Sequence, residues 1–119
     1  MSYVDGYVQA VPTANREAYA EMARISAPLF RDHGALSVVE CWGDDVPDGV
    51  VTSFPLAVKK EPHETVVFSW IIWPDKATRD AAYPAMEVDP RFAPVVEQGR
   101  ALSDGKRMIF GGFVPILEA

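Results

Sequence analysis

The stretch "TVVFSWIIW", residues 65 to 73, decides the fold. As a strand it sends alternate side chains to opposite faces, and from Val66 to Trp73 both faces are apolar except at Ser69. A strand that is apolar on both sides belongs in the centre of a sheet. The rest of the chain is then read for what pairs with it and what covers it.

Upstream, "LSVVECWGDD" (36–45) has strand character, and "VVTSFPLAV" (50–58) reads as a further strand. The first connection is preorganised by Pro47-Asp48-Gly49 and the second by "KKEPHE" (59–64). Residues 3 to 11 alternate, placing Val4, Gly6, Val8 and Ala10 on one face and Tyr3, Asp5, Tyr7 and Gln9 on the other. Pro12 stops this strand and Thr13 is placed to cap a helix with the apolar stripe Ala18, Tyr19, Met22, Ile25, Leu29 and Phe30. Pro28 lies among the polar residues of that helix. It deprives the Arg24 carbonyl of its donor where water can replace it, so a kink is expected rather than a break. Gly34 supplies the left-handed residue that ends helices.

Downstream, Asp75 is an N-cap for a helix with Ala77, Ala81, Ala82 and Met86 on its inner side. Pro84 is expected to bend or end it, and Asp89-Pro90 to restart a short helix. "SDGK" (103–106) is a turn and "RMIFGGFVPIL" (107–117) a last strand, with Gly111-Gly112 marking a bulge or a close backbone approach.

The order strand, helix, two or three strands, helix, strand is that of an α+β fold, ferredoxin-like, split βαβ with an extra central strand. Its antiparallel sheet carries the helices on one face. At 119 residues, one domain over 1–119 is expected. The side chains assigned away from the helices are Tyr3, Asp5 and Tyr7, then Leu36, Val38, Glu40 and Trp42, with one large apolar set from the central strand. A face so rich in aromatics is too apolar for water, so a homodimer closing two sheets face to face, a dimeric α/β barrel, is expected.

Several stretches resemble the YbaA-like family of small bacterial proteins, a domain of unknown function. They are "YVDGYV" (3–8), "HGAL" (33–36), "ECWGDDVPDG" (40–49) with "TSFPLAV" (52–58), "ETVVFSWI" (64–71), "DPRF" (89–92) and "DGKRMIFGGF" (104–113). The resemblance spans essentially the whole chain, departs most between Met86 and Ser103, and implies membership in the dimeric α/β-barrel superfamily with ferredoxin-like subunits. It brings no catalytic residues. Relatives elsewhere in that superfamily include cofactor-independent monooxygenases, haem-handling enzymes and small-molecule binding modules, and fold alone does not choose among them.

The net charge of −6, with eleven Lys and Arg scattered along the chain, argues against nucleic acid and anionic membrane surfaces as partners. No apolar run approaches the roughly 18 residues of a membrane span, and the lone Cys41 forms no intramolecular disulfide, so a cytoplasmic protein is expected. The acidic run Glu40, Asp44, Asp45, Asp48 fails as a calcium loop, because Pro55 stands where the bidentate glutamate belongs. The two histidines have no ligands at zinc spacing, and no phosphate loop or nucleophile elbow is present, so neither metal nor cofactor is expected.

The candidate pocket is a constellation of Asp5, Tyr7, Glu40, Trp42 and Arg107 on the uncovered side of the sheet, with His33 and Asp44 as secondary candidates. Asp44 is read first as a turn residue, and His33 as a cap on the last turn of the first helix. A carboxylate beside an aromatic and an arginine can orient a small polar aromatic molecule or have its pKa shifted for proton abstraction. The expectation is a homodimer binding a small organic molecule, with cofactor-free enzymatic activity of the proton-abstraction or oxygenase type as one use of that pocket. The alternative is a non-catalytic interaction protein in which the same polar groups only stabilise the dimer.

Overall fold

The stretch Val66–Trp73 lies inside the sheet, with a neighbouring strand on each edge. In the computed structural model, which describes residues 2–119, β3 (Glu64–Trp73) lies between β2 (Ser37–Trp42) and β1 (Tyr3–Pro12), and β4 (Ile109–Phe113) adds to the free edge of β1. The sheet order is β2-β3-β1-β4 with every pair antiparallel, the ferredoxin-like order.

Two long crossings lay helices on one face. After a short 3₁₀ turn (Thr13–Asn15), α1 (Arg16–Asp32) runs unbroken through Pro28 and buries Tyr19, Ser26 and Leu29. Ile25, assigned to the inner stripe, is half exposed. Gly34 ends the turn that follows at φ 109°, a conformation that strains any side chain. Asp75 caps α3 (Lys76–Glu87) by accepting from the Thr78 amide, and Pro84 lies inside that helix without ending it. The next helix, α4 (Phe92–Leu102), starts after Arg91 rather than at Pro90. Asp89 is held instead by the Arg91 side chain and by His33.

The segment 50–58 corrects the sequence reading, for no strand forms there. Ser53 accepts from the Leu56 amide and Pro55 sits in the first turn, a capped start that makes α2 (Phe54–Ala57). Local capping outweighs the β propensity of Val50, Val51 and Thr52, so the sheet has four strands and no extra central one. Val58, fully buried, packs with Val8, Ala10 and Val66 and covers one end of the face opposite the helices.

The main core lies between sheet and helices, where Tyr3, Leu29, Ile71, Trp73, Ala82 and Met86 form one cluster and Val11, Tyr19 and Val67 a second. The opposite face is open beyond α2 and exposes Phe68, Ile109 and Phe113. Among the described residues no helix is long and apolar enough to cross a membrane.

Candidate functional site

Register places the polar groups in rows. Glu40 of β2 stands opposite Ser69 of β3, and Ser69 opposite Tyr7 of β1, so the three side chains share one face in a line across the sheet. That face is the helix-covered one, because Tyr19 of α1 donates to Glu40 and Tyr83 of α3 meets Tyr7. The parity assignment made from sequence is therefore inverted. Asp5, Tyr7, Glu40 and Trp42 lie beneath the helices, and the wholly apolar set is left open. Helix residues with polar tips account for this. Tyr19, Arg79 and Tyr83 reach down to the sheet and satisfy its carboxylates, which buried alone would be costly.

Asp5 is buried at 2% exposure beneath α3. Its carboxylate accepts from the Arg79 guanidinium through Nε and Nη2 (2.8 Å for the latter), from Trp73 Nε1 at 2.9 Å and from the Tyr83 hydroxyl at 2.7 Å. The Arg79 guanidinium also lies 5.3 Å from the centre of the Tyr3 ring and 5.4 Å from that of Tyr83. Hydrogen bonding to Asp5 holds the Arg79 pKa above its ordinary value, and burial, followed by the contacts to Tyr7 and Asp5, raises that of Tyr83. With donors filling it, this carboxylate is a structural anchor.

Glu40 has different surroundings. Tyr19 donates to its Oε2 at 2.8 Å and Ser69 donates to the same oxygen, while among the described residues nothing donates to Oε1. No arginine or lysine pairs with it among the described residues, and burial raises its pKa above the ordinary 4.5, opposed by the two hydroxyl bonds. The Tyr19 hydroxyl is pushed up as well, by burial and then by the charge of Glu40. A second layer fixes the arrangement, since Gln9 Nε2 donates to the Tyr19 oxygen and Ser103 donates to Gln9 Oε1.

Glu40 is exposed as a residue, and the surface it keeps opens on a cavity of about 310 Å³ between the sheet and helices α1 and α4, where the crowding of surrounding protein still disfavours its charge. Its walls are mostly apolar, with Met22 and Phe30 from α1, Val95 and Val96 from α4, Ile71 from the sheet and Met108 beyond. Glu40, Ser69, Tyr7 and Gln9 supply the polar groups, and Arg100 adds a cation from the last turn of α4. A ligand-sized apolar space with a few convergent polar groups is the usual form of a small-molecule site.

Of the residues singled out from sequence, Tyr7 and Glu40 meet at the cavity. Asp5 is linked to Tyr7 through Tyr83. Trp42 packs against the cluster of Val11, Tyr19 and Val67, with the Arg16 guanidinium 5.8 Å from its ring centre. Arg107 does not join them. It forms a bidentate pair with Glu64, 2.7 Å on each side, which lowers the Glu64 carboxyl to about 2. His33 bonds Asp89 across the gap between α1 and α4 through Nε2 at 3.0 Å, and Asp44 is exposed in the connection after β2. Sequence reasoning gave no site role to Tyr19, Gln9, Ser69, Arg79 and Tyr83. The available signal was Ser69, the one polar residue interrupting the central strand, whose partner across the register is Glu40. Among the described residues no group of three or more His, Cys, Asp and Glu side chains is arranged to hold a metal ion.

Fold and cavity together define the class: an α+β, ferredoxin-like protein with an antiparallel sheet, helices on one face and a ligand-sized space beneath them. The chain belongs to the family described as "Protein of unknown function (DUF1428)", whose model matches residues 2–102. It is 56% identical over 119 residues to the uncharacterized protein YbaA of Escherichia coli (strain K12), covering 99% of each chain. Solved structures share the fold at low identity. A dimeric ferredoxin-like protein from an uncultured marine organism aligns with a TM-score of 0.65 and 12% identity over 99% of this chain and 98% of that one. A point mutant of SnoaB, a cofactor-independent oxygenase from Streptomyces nogalater, aligns with a TM-score of 0.58 and 17% identity over 98% of this chain and 95% of that one.

Proposed function

We propose that this protein is a cytoplasmic homodimer that binds a small, ring-containing organic molecule in the cavity over Glu40 and abstracts a proton from it without a cofactor. The observation that carries the reading is Glu40 itself, a carboxylate at an apolar cavity, oriented by Tyr19 and Ser69 and paired with no cation among the described residues. Its Oε1 takes the proton from a C–H or O–H of the ligand, and the bonding electron pair stays on the ligand as a delocalised anion. Glu40 becomes a neutral carboxylic acid, the form that burial favours. The likeness to SnoaB supports the class of chemistry only as far as a shared fold does.

The dimer rests on the open face of the sheet, where Phe68, Ile109 and Phe113 border a large apolar depression with Val4 and Trp70. A second copy of that face is the occupant proposed, supported by the dimeric state named for one structural neighbour. Of the polar residues assigned to this interface from sequence, Asp5, Tyr7 and Glu40 lie under the helices and Arg107 pairs with Glu64, which speaks against reading them as dimer cement. The lone Cys41 suits a reducing compartment.

The test is a two-dimensional amide NMR screen with 2-naphthol and indole, run on the wild type and on Glu40→Gln. Binding that moves the Ser69 and Gly99 resonances and weakens at least about tenfold in the variant supports the site. Undiminished binding to Glu40→Gln contradicts it. Sedimentation across a concentration series tests the dimer, and a monomer at every concentration rejects it.

A further inference from the structure

The cavity's polar groups do more than mark a site, because their hydrogens are already committed. Arg79 and Trp73 can only donate, so Asp5 receives their hydrogens, and the Tyr83 hydroxyl donates to the same carboxylate. With its own proton spent on Asp5, the Tyr83 oxygen is left to accept from Tyr7 across their 2.7 Å contact. Tyr7 thus gives its proton to Tyr83, and its oxygen can offer a ligand only lone pairs. In the same row the Ser69 hydroxyl donates to Glu40, so Ser69 also retains only lone pairs, and Glu40 is an acceptor at both oxygens. The free donors facing this space are the remaining N–H of Gln9, beside the row on β1, and the Arg100 guanidinium on α4.

We infer that the ligand of this cavity, in the function proposed above, is a ring compound whose buried edge carries hydroxyl or N–H donors, read by the acceptor row Glu40, Ser69 and Tyr7. Glu40 and Tyr7 stand on β2 and β1 with β3 between them, so their Cα atoms are about 10 Å apart, a span that suits donors at opposite ends of a bicyclic ring. A molecule offering only ether or carbonyl oxygens to that row would face lone pair against lone pair. Tyr83 is a positioning residue in this scheme. It touches the Tyr7 oxygen and sets which way that hydroxyl points.

Two measurements decide it. Neutron diffraction from deuterium-exchanged crystals should place the Tyr7 deuteron on the line to the Tyr83 oxygen and the Ser69 deuteron on the line to Glu40. A Tyr7 deuteron directed into the cavity overturns the inference. Calorimetric titration should then show 2,6-dihydroxynaphthalene binding at least about tenfold tighter than 2,6-dimethoxynaphthalene. Tyr83→Phe frees the Tyr7 hydroxyl to turn inward and should narrow that ratio by improving the dimethoxy compound, whereas Tyr7→Phe should weaken the dihydroxy compound alone. Equal binding of the two compounds, or a ratio untouched by Tyr83→Phe, overturns the acceptor row while leaving the site intact. If neither compound shifts the cavity resonances, the site reading above falls, and this inference with it.

Discussion

Asp5 and Glu40 are carboxylates on the same helix-covered face of one sheet, and the chain surrounds them in opposite ways. Asp5 receives a guanidinium, an indole N–H and a hydroxyl, and has a fully buried tryptophan beside it. Glu40 receives two hydroxyls on one oxygen, has no cation among the described residues and borders a cavity. A buried carboxylate whose acceptor sites are filled holds a fold together. A more accessible carboxylate, with an oxygen to spare at a ligand-sized space, can take a proton.

The largest break in that comparison comes at the anchored end. Asp5→Ala leaves Arg79, the Trp73 N–H and the Tyr83 hydroxyl without their acceptor, and should cost about 3–5 kcal/mol in urea unfolding. At this chain length that corresponds to a drop of roughly 10–20 °C in melting temperature. Gly112→Ala should come next. Its new methyl would collide with the Tyr3 hydroxyl and press on the ring against which Arg79 sits, an overpacking worth about 1–3 kcal/mol.

The pair of Arg107 and Glu64 shows the sign expected of a filled carboxylate. The Glu64 pKa in the folded protein, about 2, lies below the ordinary 4.5, so its stabilisation is present above pH 4.5 and is lost as the pH falls towards 2. Arg107→Met should flatten that acid limb of the stability curve, as read by thermal melts at stepped pH. The cavity end should be more tolerant. A methyl at Gly99 would meet Met22 Sδ at 3.5 Å, an ordinary contact, so Gly99→Ala should stabilise α4 by about 0.5–1 kcal/mol while narrowing the cavity and weakening ligand binding.

Glu40→Gln should have the smallest effect on stability and the largest on function. A raised folded pKa means that the ionised form is disfavoured by folding, so stability is greater below pH 4.5 and declines as the pH rises through the folded value. Removing the charge should therefore leave unfolding at pH 7 unchanged or slightly harder, and should abolish the proposed proton abstraction.

The sheet was legible in the sequence because β3 is apolar on both sides and β1 alternates without interruption; the cap at Asp75 and the left-handed Gly34 were legible because each is local chemistry. The segment 50–58 misleads because its β-branched residues outnumber the single Ser53 cap that turns Phe54–Ala57 into a helix. The face of the site is hidden for a more general reason. Alternation separates two faces without saying which one is covered, and here the more polar face lies under the helices because Tyr19, Arg79 and Tyr83 supply its partners. Those partners are 21 to 78 residues away in the chain from the carboxylates they serve, beyond the reach of any spacing argument. Read as part of a last strand, Arg107 is grouped with Glu40, whereas it lies in a 3₁₀ turn at Gly105–Arg107 that delivers it to Glu64.

The most direct test of the contrast is a carbon-13 NMR titration of the side-chain carboxyls, with Glu64 as the internal reference near 2. The account predicts a Glu40 midpoint above 4.5 in the free protein, moving when 2,6-dihydroxynaphthalene is added. A Glu40 midpoint at or below 4.5, indifferent to that compound, would contradict it.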